Sequence, residues 1–267
     1  MANPRYTLTD SERVAVIALK EVCETEGIAY SNLFELAKYV LVVQSSFPDS
    51  DEKAPQKRLE KAKSLLRKRN SWLKANDLET VDPMAALEDL YKACPKFFYT
   101  KYTHDKDGRV VVGHDQVHAP ADYMYKSKEN MTTFLAAEQL RMNMGAVDLE
   151  EARLGFCIVG ILDGKGSASG AVRYIRMSTK SKENVKGMHP HRIRKIYCEV
   201  PSLYMYAARA CMAILPKKIV ERILLFSSLP ALENHMQTKE TIPNTNVLEW
   251  AKARQAKYLE TLERLSL

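Results

Sequence analysis

The chain has 267 residues, 46% hydrophobic and 27% charged, with a formal net charge of +7 and a pI near 9.0. That is the composition of a globular protein with an acidic partner. No run reaches the roughly 18 apolar residues that span a bilayer, so the chain is expected to touch membranes and not to cross them.

Five scattered cysteines, odd in number and without a CxxC pair, point to a reducing, cytoplasmic setting. The start MANPRYTLTD lacks the apolar core of a signal peptide. The first third reads as helices. Thr9 and Glu12 form a capping box, after which Val14, Ile17, Ala18 and Val22 follow helical spacing up to Gly27. Ser31 is placed to cap a second helix with Leu33, Leu36, Ala37, Val40 and Leu41 as its stripe. A loop at 47–51 leads to a strongly charged helix at 57–74, and Asp82-Pro83 opens a short one to about Ala93.

From Cys94-Pro95 the composition changes. Phe97-Phe98-Tyr99 and Val110-Val111-Val112 flank the polar turn 104–108 and predict a hairpin. An apolar-faced helix is expected at 131–144. The run 156–162, FCIVGIL, reads as a strand covered on both faces. Residues 194–198 and 222–226 read as two more strands with helices between, which predicts an α/β fold with a mostly parallel sheet. One amphipathic helix closes the chain at 246–265. The domains expected are 1–93, an N-terminal helical domain; 94–243, the sheet domain; and 244–267, a C-terminal helix.

Charge is uneven. Residues 180–222 carry ten Lys or Arg against three Glu, a net +7 that equals that of the whole chain. Within it, 189–222 reads HPHRIRKIYCEVPSLYMYAARACMAILPKKIVER: a basic cluster, a strand, a proline, an apolar helix and a second basic cluster. Cations beside apolar side chains suit anionic lipid headgroups.

Four segments resemble the CRAL-TRIO lipid-binding family, whose members include alpha-tocopherol transfer protein and cellular retinaldehyde-binding protein. They are Leu59-Glu60-Lys61-Ala62 through Trp72-Leu73-Lys74-Ala75-Asn76, Asp107-Gly108-Arg109-Val110-Val111-Val112, GFCIVGILDGKGS at 155–167, and the stretch 190–223. The resemblance covers roughly 57–226. It implies an N-terminal helical bundle followed by a sheet covered by helices, with a lipid pocket closed by a movable helical gate at 202–222. By that resemblance Arg192, Arg194, Lys218 and Arg222 take the phosphoinositide-binding role. Ile158, Gly160, Leu162, Leu203, Tyr204, Ala207, Ile214 and Leu215 line the pocket and gate. The chain departs from the family at Glu199-Val200-Pro201, which lacks the usual Asn. It departs again at His191, where members holding phosphatidylinositol carry Glu, so the cargo is not carried over.

No nucleophile–base pair or paired carboxylates stand out, and an enzyme is not expected. Asp163-Gly164-Lys165-Gly166-Ser167 lacks the phosphate-loop spacing. His114 and His118 are four apart, but their flanks read as strand and loop, and no metal is expected. No cofactor is expected apart from a bound hydrophobic ligand or phospholipid. The expectation is a cytoplasmic monomer that associates reversibly with phosphoinositide membranes, transfers one lipid-like ligand and binds no nucleic acid. The alternative is a cargo-free phosphoinositide-binding or protein-binding regulatory module.

Overall fold

The computed structural model describes residues 3–44, 46–47, 50–99, 104–116, 118–162, 190, 192–213, 215, 217–236 and 246–267. Four helices come first: α1 (Asp10–Glu26), α2 (Leu33–Gln44), α3 (Ala54–Ala75) and α4 (Pro83–Ala93). The Thr9–Glu12 capping box forms, and Gly27 ends α1 in the left-handed conformation that glycine takes without a Cβ penalty. The buried face of α1 is Val16, Leu19 and Cys23, whereas Val14 and Ile17 are exposed. Both stripes have helical spacing; α2 and α3 pack on the former. Asn32, not Ser31, supplies the side-chain oxygen at the start of α2, accepting from Glu35 N–H at 2.9 Å. Asp82 caps α4 as its sequence predicts.

A five-stranded sheet follows in the order β1 (Phe98–Tyr99), β2 (Val111–Asp115), β3 (Phe156–Ile161), β4 (Ile193–Glu199) and β5 (Ile223–Phe226). β1 pairs antiparallel with β2, as the hairpin reading requires, and β2 to β5 are parallel. The β2–β3 connection carries α5 (Ala121–Met124), α6 (Lys128–Asn143) and α7 (Leu149–Leu154). Between β4 and β5 stand a 3-10 turn (Ser202–Tyr204), α8 (Met205–Ala213) and α9 (Lys217–Val220). Then come α10 (Leu229–Met236) and α11 (Val247–Arg264).

Register assigns the two faces. Paired residues of parallel strands share a face. Val111, Cys157, Val159, Ile161, Tyr197, Leu224 and Phe226 lie on the back, where Leu229, Leu232 and Met236 of α10 cover them. Asp105 is buried at the same face. It accepts from the Arg109 backbone N–H at 2.9 Å, the Cys157 thiol at 3.2 Å and the Tyr197 hydroxyl at 3.3 Å, pinning the polar turn to the sheet. Burial, with Asp105 beside it, pushes the Cys157 thiol up to about 12, so it packs as a small apolar group.

The helical cores cross the sequence-based boundaries. One joins α1, α2 and α3 to Ala146, Leu149, Ala152 and Leu265. Another joins Trp72 and α4 to α6 and to Val247 and Ala251 of α11.

Candidate functional site

The front face of the sheet carries Val112 and His114 on β2, Ile158 and Gly160 on β3, Ile196 and Cys198 on β4, and Ile223 and Leu225 on β5. Its β2 half is closed. Met142 of α6 and Trp250 of α11 pack on Val110, Val112 and Phe156. Its β3–β5 half is not: Ile158, Ile196, Cys198, Ile223 and Leu225 are all half-buried, while behind β3 and β4 Cys157, Val159, Ile161 and Tyr197 are buried; on β5 the back-face Leu224 and Phe226 are half-buried too. Among the described residues, Ile196, Ile223 and Leu225 belong to none of the buried clusters. The result, among the described residues, is an apolar floor without a fitted lid.

The segment that would form the lid is poorly buried. Pro201 ends β4, since it has no N–H to donate onward. α8, with the sequence MYAARACMA, is built of good helix formers. No described residue of α8 is buried. Leu203 is 82% and Tyr206 86% exposed, and Tyr204 and Leu215 are exposed as well. Ala207 is exposed. Leu162 is half-buried just beyond β3. Ile214, His189, His191 and residues 163–167 lie outside the described residues.

Gly160 does not leave open room. A Cβ there would stand 2.2 Å from Gln116 Nε2, so the Gln116 amide fills that space. The neighbouring polar cluster is closed on itself. Glu138 of α6 meets His114 Nε2 at 2.7 Å and Arg141 Nη1 at 2.5 Å, and Arg141 Nη2 donates to Gly113 O at 2.6 Å. The Arg141 guanidinium also lies over the Phe98 ring at 4.8 Å. Burial alone would raise the Glu138 carboxyl, but Arg141 and His114 hold it down at about 2. His118 pairs with Asp115 at 2.9 Å and not with His114.

The cations converge. Because β4 and β5 are parallel, the start of one lies beside the start of the other, with Ile196 opposite Ile223. This brings Arg192 and Arg194 next to Arg222. Burial and mutual repulsion with Arg222 lower the pKa of both, with Arg194 and Arg109 respectively adding to it. Arg192 Nη1 donates to Arg153 O at 2.9 Å, and Arg194 Nε to Leu154 O at 3.0 Å. These are orphan carbonyls at the end of α7, so the two arginines cap its negative pole. The close approach needs Gly155, at φ +75°, because a Cβ there would meet Arg192 O at 2.2 Å. Arg222 and Lys218 are exposed, and among the described residues no carboxylate pairs with Arg192, Arg194, Lys218 or Arg222.

Sequence reasoning missed Gln116, Ile196, Ile223 and Leu225 as site residues. The alternation in IYC and ILLF carried a signal for the last three, but only register tells which alternate set faces the front.

This architecture is the α/β fold that the CRAL-TRIO resemblance implies: an N-terminal helical bundle, then a mostly parallel sheet with helices on its back and over the β2 half of its front. A solved structure with this architecture, titled "Crystal structure of Sfh5", is similar over 95% of this chain and 99% of that chain, with a TM-score of 0.53 and 12% identity. No family model and no curated protein matches the chain. No helix among the described residues is long and apolar enough to cross a membrane.

Proposed function

We propose that this chain binds one hydrophobic, lipid-like ligand on the half-covered floor beneath α8 and carries it between membranes. It docks on anionic, phosphoinositide-containing surfaces through Arg192, Arg194, Lys218 and Arg222. The observation that carries this reading is the pairing of a half-buried apolar floor (Ile158, Ile196, Ile223, Leu225) with an apolar segment none of whose described residues is fully buried. Each supplies what the other lacks, and a ligand between them would bury both. A chain-like ligand contributes about 0.8 kcal/mol for each CH₂ taken out of water.

The geometry supports a simple cycle. Leu203 and Tyr206 lie one turn apart, so at a membrane they reach the acyl–headgroup boundary together. That contact is made only with the gate swung out, so the membrane favours the open form. Cations at the strand starts hold the other end of the crossover, where it enters β5, against phosphates, and each contributes about 1 kcal/mol near an anionic surface. Away from the membrane the segment closes over floor and ligand.

Native mass spectrometry tests this after incubation with phosphatidylcholine vesicles containing a phosphoinositide. The expected result is protein carrying one lipid. Protein that binds the vesicles yet leaves empty supports the cargo-free module instead, and protein that does neither overturns the proposal.

A further inference from the structure

We infer that Gln116 selects the ligand's end group, favouring one neutral hydrogen-bonding group such as a hydroxyl on an otherwise apolar body. This rests on the ligand site proposed above and adds its specificity. Gln116 continues the line of β2. Its backbone N–H donates to Ile161 O at 2.9 Å, so the main chain is fixed to β3 and only the side chain can respond to a ligand. That side chain lies in the hollow left by Gly160, in the row that also holds Cys198 and Leu225. It is half-buried, and among the described residues its amide has no hydrogen-bond partner. The amide offers two donors and one acceptor and carries no charge.

The surroundings narrow the chemistry. Among the described residues, Glu138, Arg141 and His114 are engaged with one another and with Gly113 O, Asp115 pairs with His118, and Glu199 accepts from Leu162 N–H at 2.9 Å. The arginine cluster lies at the opposite end of β4, whose seven residues span ~20 Å. An ionised end group seated at Gly160 would therefore lose water and gain only a neutral partner, a net cost. A hydroxyl or carbonyl would gain a partner for a group that otherwise faces a greasy floor.

The test uses phosphatidylcholine vesicles loaded with equal amounts of hexadecanol, hexadecane and palmitate, with uptake read by native mass spectrometry. The wild type is expected to prefer hexadecanol to hexadecane by about fivefold, the scale of one neutral hydrogen bond. Gln116→Leu should abolish that preference, with hexadecanol uptake falling to the level of hexadecane and the thermal midpoint unchanged. Gly160→Ala, whose new methyl displaces the amide with Gln116 still present, should reduce it too. A preference that survives Gln116→Leu, or palmitate as the favoured probe in the wild type, overturns the inference and leaves the ligand site standing. Failure of the wild type to take up any probe overturns the ligand site itself, and the inference with it.

Discussion

Arg254 of α11 grips Glu151 of α7 with both prongs of its guanidinium. Nη1 stands 2.9 Å from Oε1 and Nη2 meets Oε2, while Nε donates to Met144 O at 2.9 Å. Lys257, one turn on, reaches Glu151 at 2.7 Å and Asp148 at 3.0 Å. The last helix is thereby fastened to the turn from which β3 enters the sheet. Arg254→Met leaves a buried carboxylate with one partner fewer, and we expect a loss of about 3 kcal/mol in urea unfolding. Pairing it with Glu151→Leu should restore much of that loss, because the stranded charge is then gone.

Acid should weaken the fold through the same residues. Burial pushes the Glu151 carboxyl up, but Arg254 and Lys257 hold it at about 2, and Glu138 is held at about 2 as well, against a reference of 4.5. A carboxyl whose folded pKa lies below its unfolded one stabilises the protein above the unfolded value and loses that contribution as pH falls to the folded one. Unfolding free energy is therefore expected to drop between about pH 4.5 and 2. Glu138→Gln and Glu151→Gln should each flatten that slope in a pH series.

The four cations divide into two kinds, and substitutions should separate them. Arg222 and Lys218 are exposed and hold no partner among the described residues. Arg222→Glu with Lys218→Glu should weaken binding to phosphoinositide vesicles at least ~10-fold, from about 1 kcal/mol per basic group, and leave the thermal midpoint unchanged. Arg192→Ala and Arg194→Ala should lower that midpoint, because each uncovers a carbonyl of α7. Vesicle sedimentation across salt concentrations reads the first effect and calorimetry the second.

Tyr206→Asp and Leu203→Asp place charge on side chains that touch water already. Stability should change by less than about 0.5 kcal/mol. Vesicle binding and ligand transfer should both fall, measured as the rate at which a fluorescent lipid leaves donor vesicles.

Ile196→Trp puts a large ring onto the half-covered floor. Ligand uptake should be lost, with vesicle binding retained. Uptake at the wild-type level would place the ligand elsewhere.

Much of the fold can be read from local signals. The capping box at Thr9, the Asp82-Pro83 start, the polar turn at 104–108 and the apolar run from Phe156 each act within a few residues, and each element stands where its signal lies. The site is less legible. Val14 and Ile17 fit a helical stripe as well as Val16 and Leu19 do, and only the arrival of α2 and α3 decides between them. Gly160 is placed in the pocket lining by resemblance, and only the fold shows that Gln116, just beyond β2, occupies the space beside it. His114 reads as half of a histidine pair until α6 brings Glu138 to it.

By itself, then, the sequence determined the helical and strand segments, the lack of a spanning helix and two basic clusters flanking an apolar segment, because periodicity, capping and charge counts are properties of neighbours along the chain. The tertiary structure alone decided that both clusters meet at one edge, because parallel strands set their beginnings side by side. It also decided that the front of β3–β5 is left half-covered while α10 buries the back of β3 and β4. Those outcomes depend on strand register and on which helix reaches which face. Both are set by contacts between residues far apart in the chain, which no local pattern encodes.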